Sequence, residues 1–169
     1  MANDLAITTF KNELIRQIQN DEEIVSALGL TPNEDAEDLT YVRLFPYYFV
    51  IPTQEEAKTY ILVEVATQAI QDRFNGLKND IVYDKATVYI YVIAHQNVIK
   101  MEEAGISAVR TDYISQLLSK KFNGARIAGL GALQKISNTP RSTFSDTYRM
   151  RELVFEIPDF NKEMCMRDW

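Results

Sequence analysis

Ala86-Thr-Val-Tyr-Ile-Tyr-Val-Ile-Ala-His95 is the stretch that decides how this chain folds. Alternate residues of a strand face opposite ways, so Val88, Ile90, Val92 and Ala94 share one side while Tyr89, Tyr91 and Ile93 share the other. Both sides are apolar, which predicts a central strand covered on both faces, the second cover being either this chain or another subunit. Upstream, Thr59-Tyr-Ile-Leu-Val-Glu-Val-Ala-Thr67 predicts a second strand, with Ile61, Val63 and Val65 on one face and Tyr60, Leu62, Glu64 and Ala66 on the other. Residues 68–80, with Asn75-Gly76, read as a polar connection between these strands.

Before them lies Leu44-Phe45-Pro46-Tyr47-Tyr48-Phe49-Val50-Ile51-Pro52. Proline cannot donate to a ladder, so this aromatic segment reads as an extended edge piece whose rings need a cover. Residues 31–42 are acidic and irregular. Residues 5–19 predict an amphipathic helix through Leu5, Phe10, Leu14, Ile15 and Ile18. Asn20 or Asp21 can cap a short second helix (Ile24, Val25, Leu28), which stops at Gly29.

Downstream, residues 107–123 predict a long helix capped by Ser107, lined by Val109, Tyr113, Leu117 and Leu118 and ended by Asn123-Gly124. Residues 125–137 read as a bent or bulged strand around Gly129-Leu130-Gly131, and 138–145 as a Ser/Thr/Pro turn. A closing strand over 147–157 puts Leu153, Phe155 and Ile157 on one face, continued outward by Arg149 and Arg151. The order α-α-β-β-α-β-β predicts an α+β fold, a mostly antiparallel sheet packed by one long helix. The expected organisation is a single domain over 1–169: a helical appendage at 1–30, an α+β core at 44–158 and a tail at 159–169.

Composition narrows the function. A chain of 169 residues can bury roughly 70% of its unfolded surface, so it needs neither disulfide nor metal to fold. Its net charge of −6 argues against a nucleic-acid binder, since phosphate contacts need clustered cations. One cysteine, Cys165, excludes an internal disulfide. The N-terminus shows no secretory pattern, and no apolar stretch approaches the ~20 residues that span a bilayer, so synthesis in a cytoplasm and no membrane contact are expected.

Chemical signals are sparse. A lone His95 at a strand end is more often structural than catalytic, and a catalytic role would need a hydroxyl or carboxylate partner in a pocket. One histidine and one cysteine cannot build the usual zinc site. The spacing Gly124, Gly129, Gly131 lacks the Lys-Ser/Thr of a phosphate loop and leads into a strand. The acidic groups Asp21 to Glu23, Asp35 to Asp38 and Glu102-Glu103 read as solvated helix starts and loops, without the alternating donors of a calcium loop. No enzyme activity and no cofactor are expected. What stands out is apolar surface: Phe45 to Ile51, the two-faced central strand, and the tail Met164-Cys165-Met166 to Trp169. Either the N-terminal helices cover it or partners do.

Asn123-Gly124-Ala125, the Gly129-Leu130-Gly131 bend, Asn138-Thr-Pro-Arg-Ser-Thr-Phe144, and Asp146-Thr-Tyr-Arg-Met-Arg151 ahead of an apolar strand resemble the tail-terminator and neck-terminator (tail-completion) proteins of tailed bacteriophages. The proline-flanked Tyr47-Tyr48-Phe49 segment is also similar to theirs. The likeness runs over about residues 44–158, and the two N-terminal helices depart from it, which leaves terminator, stopper or other connector open. The resemblance implies a structural virion protein that forms a homo-oligomeric ring, a hexamer, at the head-proximal end of the tail. The ring ends tube growth and joins tail to head. Its partners would be other copies of itself, the tail tube protein and head-completion or other neck proteins, with DNA passing the lumen without specific binding. An adaptor or baseplate-like module without ring closure is the second reading. The expected interface residues are Phe45, Tyr47, Tyr48, Phe49, Asp146, Tyr148, Arg149, Arg151 and Trp169, with a solvated strand end as the alternative for the charged ones.

Overall fold

The computed structural model describes residues 4–30, 39–49, 51, 57–72, 81–103, 105–143, 145–158 and 160. Helix α1 (Asp4–Gln19) and helix α2 (Glu22–Ala27) open the chain. Asp21 caps α2 by accepting the Ile24 N–H at 3.2 Å, and Glu22 and Glu23 sit at the positive end of the helix. Gly29 adopts φ +80° just beyond α2, a left-handed conformation that a Cβ would strain.

Strands β1 (Leu44–Phe45), β2 (Thr59–Asp72), β3 (Ile81–His95), β6 (Gln134–Arg141) and β7 (Tyr148–Ile157) form one sheet in the order β1-β2-β3-β7-β6. Every pairing is antiparallel except that of β1 with β2. The fold is α+β. The 86–95 stretch is central as expected, with β2 on one side and β7 on the other. The aromatic segment begins as the edge strand β1.

Helix α3 (Arg110–Phe122) packs Ile114, Leu118 and Phe122 onto the sheet face formed by Ile61, Val63, Val88, Ile90, Val92, Leu153, Phe155 and Ile157. Phe10, Leu14, Ile18 and Ile24 of α1 and α2 join the same core. Each such side chain contributes about 1.5–3 kcal/mol by leaving water. Lys121 of α3 meets Asp21 at 2.7 Å, and the Tyr113 hydroxyl donates to Glu23 at 2.8 Å, so α2 is tied to α3 at its capped end.

Several boundaries differ from the sequence reading. Residues 68–72 are strand, not connection, pairing from Gln68↔Lys85 to Asp72↔Ile81. A hairpin of β4 (Lys100–Glu103) and β5 (Ile106–Val109) precedes α3, so Ser107 lies in a strand opposite Glu102 and caps nothing. Val109 occupies the cap position of α3 without a side-chain bond and is 47% exposed; it does not line the core. Glu102, expected in a loop or helix start, is in β4 and pairs with Lys100.

After Gly124, which ends α3 at φ +84°, the chain makes a loop closed at its base by Gly124 N–H to the Leu133 carbonyl (2.7 Å) and Leu133 N–H to that of Ala125 (2.9 Å). The strand therefore starts only at Gln134, with its bulge at Ile136, and it runs through Arg141, taking in half of the expected 138–145 turn.

Candidate interaction surface

The sheet has two unlike faces. Helices cover one. On the other, a second cluster gathers Phe45, Ile51, Tyr60, Leu62, Ile93, Tyr148 and Met150, with Phe49 and Tyr91 packed against it. Residues 45–49 and Ile51 fold back over this end of the sheet and supply its partial cover.

Local chemistry fixes that fold-back. The Lys11 ammonium of α1 donates to the Pro46 carbonyl at 2.9 Å and lies 3.7 Å from the Glu64 carboxylate of β2. The same Glu64 oxygen accepts the Tyr48 N–H at 3.0 Å. Prolines leave this segment short of ladder donors, and side chains of α1 and β2 hold it instead. Phe45 is its anchor, 9% exposed and in ring contact with Phe49 at 4.7 Å and Tyr47 at 5.8 Å.

Outward from the anchor the rings become accessible. Tyr47 is 44% exposed, Tyr48 39% and Tyr41 63%. Tyr41 sits at φ +64° in a turn, its N–H donating to the Leu44 carbonyl at 2.9 Å, and its ring meets those of Phe45 and Tyr47. Tyr48 stands edge-on to Tyr91 at 4.9 Å, and Tyr91 is stacked on Tyr89 at 6.4 Å. The strip Tyr41, Tyr47, Tyr48, Tyr91, Tyr89 therefore crosses the open face from the β1 edge to the central strand.

Burial pushes the Tyr91 phenol up to about 12, with the negative charge of Glu152 adding to the effect. It stays a neutral hydroxyl donor under any physiological condition. A phenol harder to ionise in the folded than in the unfolded protein stabilises the fold below pH ~10 and loses that contribution as pH rises toward 12. In an absorbance titration of tyrosinate, Tyr91→Phe removes the transition near pH 12 and leaves the earlier ones in place. A lost component nearer pH 10 would contradict the burial argument.

Glu152 is itself 7% exposed and accepts from both Nε and Nη2 of Arg141 at 2.9 and 2.7 Å, which places a paired ion beside the tyrosines. Tyr148 is buried in the cluster with the His95 ring edge-on at 5.1 Å. Asp146 and Arg149 lie at the exposed start of β7, Arg149 donating to the Asp146 carbonyl at 3.1 Å. Arg151 is on the helix-covered side, donating to Asn138 at 2.7 Å and Asp112 at 3.0 Å. The candidate residues thus divide. Phe45, Tyr47, Tyr48, Phe49 and Tyr148 come together on the open face, Asp146 and Arg149 lie at the adjoining end of β7, and Arg151 is bonded within the chain. Trp169, with Met164, Cys165 and Met166, lies outside the described residues.

Reading the sequence for exposed apolar segments misses Tyr41, Glu64, Lys11 and the Arg141–Glu152 pair. Tyr89 and Tyr91 were visible as a strand face, but not as rings left half open. His95 uses Nδ1 to accept the Asn97 N–H at 3.2 Å, closing the turn after β3 (Gln96–Val98). Among the described residues no group of three His, Cys, Asp or Glu is placed to hold a metal. No helix formed by them is long and apolar enough to cross a membrane.

A five-stranded mixed sheet, with helices on one side and half-open tyrosines on the other, defines an α+β protein whose distinctive surface is suited to contact. The chain belongs to the YomW family, whose sequence model matches residues 21–157. Its fold is similar to that of a chain in the virion of the native gene transfer agent particle. The TM-score is 0.60 at 13% identity, over 93% of this chain and 98% of that one. No curated protein matches the sequence.

Proposed function

We propose that this chain is a structural virion protein of a phage or phage-like particle. In this reading it forms a ring at the head-proximal end of the tail, ends growth of the tail tube and joins tail to head. The observation that carries the proposal is the fold likeness to a virion chain along nearly the full length of both. The half-open tyrosine strip supports it, since aromatic rings held by a packed anchor supply large contact area at low entropic cost.

Its function is binding, without a chemical step or cofactor. The partners are further copies of the chain, closing as a hexamer, the tail tube protein and head-completion or other neck proteins. DNA passes the lumen without specific contacts, which suits a chain with net charge −6. Phe45, Phe49 and Tyr148 act as buried supports; Tyr47, Tyr48, Asp146, Arg149 and Trp169 make the contact. Arg151 serves the interface by holding β7 to Asp112. The work is done in the virion, after assembly in the host cytoplasm, by the chain acting as one domain.

The combined variant Tyr47→Ser with Arg149→Glu changes only exposed side chains. It keeps the unfolding free energy within about 1 kcal/mol of the parent but loses assembly at least tenfold in concentration, read by light scattering. Assembly equal to the parent would overturn the assignment of this face.

A further inference from the structure

The sheet ends in two edges of different character. Strand β6 is blunted by a bulge between Lys135 and Ser137 and by Pro140, two devices that resist pairing with another strand. Strand β2 has neither. Strand β1 covers it only at Ile61 and Leu62, and among the described residues nothing pairs with that side from Val63 to Asp72. The Ile61 N–H donates toward β1, to the Arg43 carbonyl at 2.8 Å, and the Thr59 carbonyl accepts from Arg43 on the same side. The two-residue period therefore turns the main-chain groups of Val63, Val65, Thr67, Ala69 and Gln71 to the open side.

A second open edge lies on its hairpin partner, β3. Strand β7 pairs with β3 only from Ala86, because Ile157 is its last residue and Pro158 follows without a donor. The chain then leaves, and Phe160 packs on Phe10 at 5.7 Å. Residues 81–85 thus have β2 on one side and no described strand on the other. Together 68–72 and 81–85 make a two-stranded arm reaching past the sheet. Two strands alone are marginal in water.

We propose that this arm joins successive copies of the chain, the β2 edge of one pairing with the Ile81–Lys85 edge of the next. The inference rests on the ring reading above and names its joint. In a ring whose arms run along its axis all arms point the same way, so β3 of one copy meets β2 of its neighbour antiparallel, the relation they already have within one arm. The contact uses two different edges, each once per copy, a heterologous joint that makes a ring when the rotation between copies closes and a filament when it does not. A second copy is the occupant because one arm carries both halves of the joint, while the far edge at β6 is protected against pairing.

The test exploits the direction of the amides. Thr67→Pro with Ala69→Pro removes two donors that point away from β3, so the internal ladder survives. The expected result is loss of the ring species, with far-UV circular dichroism and the urea midpoint of the monomer unchanged. In the unmodified protein, amide exchange at Val65, Thr67 and Ala69 slows at least tenfold in rings relative to dilute monomer. Rings from the double-proline variant, or rings whose three amides exchange as fast as in the monomer, overturn the arm and leave the ring reading standing. An unmodified protein that never assembles overturns both.

Discussion

Phe10→Ala lowers folding stability by about 3–5 kcal/mol, the cost of emptying a fully enclosed aromatic site that can only partly collapse. Phe10 is 0% exposed, meets Phe160 edge-on at 5.7 Å and shares its core with sheet residues such as Val63 and Val88. The loss therefore spreads across the N-terminal helix, the sheet and the segment after β7. For a chain of this size it lowers Tm by about 10 °C. Urea unfolding followed by both circular dichroism and tyrosine fluorescence checks it. A loss below about 1 kcal/mol, or two separated transitions, would mean that α1 is a dispensable attachment.

Arg110→Met is expected to cost about 2–4 kcal/mol. Arg110 is 8% exposed; its Nε donates to the Val98 carbonyl at 2.7 Å and its Nη1 to the Ala27 carbonyl at the end of α2. A cation at a helix C-terminus satisfies carbonyls that the helix leaves open and offsets its dipole. Methionine keeps the stem but strands both acceptors. Lysine keeps the charge, yet a single ammonium cannot reproduce the planar fork, so Arg110→Lys recovers less than half of the loss. Paired urea titrations decide between the bridging account and simple loss of charge, which Lys would repair fully.

Which parts of this fold were legible follows from where apolar residues alternate. The central strand, β2 near Ile61 and β7 near Phe155 each bury a side chain at every second position, and that period shows in the sequence. Strand β6 does not: Gln134 to Arg141 is exposed or half-exposed throughout, and its Ser, Asn, Thr and Pro read as a turn. It is a strand because β7 offers it a ladder nine to twenty-two positions along the chain. Among the described side chains of the β4–β5 hairpin only Met101 is buried, too little for a period to register. The polar extension at 68–72 is likewise set by its partner 81–85 rather than by its own pattern.

The surface was half legible for a related reason. Proline flanks and dense aromatics mark residues 44–52 as unusual without showing which rings turn outward. That depends on Lys11 and Glu64, which come from a helix and a strand on either side of the segment in sequence. Arg151 looked like a charge in need of a partner, and Asp112, 39 positions earlier on α3, provides one.

The central claim is that this fold assembles into closed rings through its open face and arm. The most direct measurement is the native mass of the full chain across a wide concentration range, by light scattering, with negative-stain images of the same samples. The account predicts a shift from monomer to one discrete closed ring, with no ladder of intermediate sizes at high concentration. A strict monomer or a simple dimer at every concentration, with no rings in the images, would contradict it.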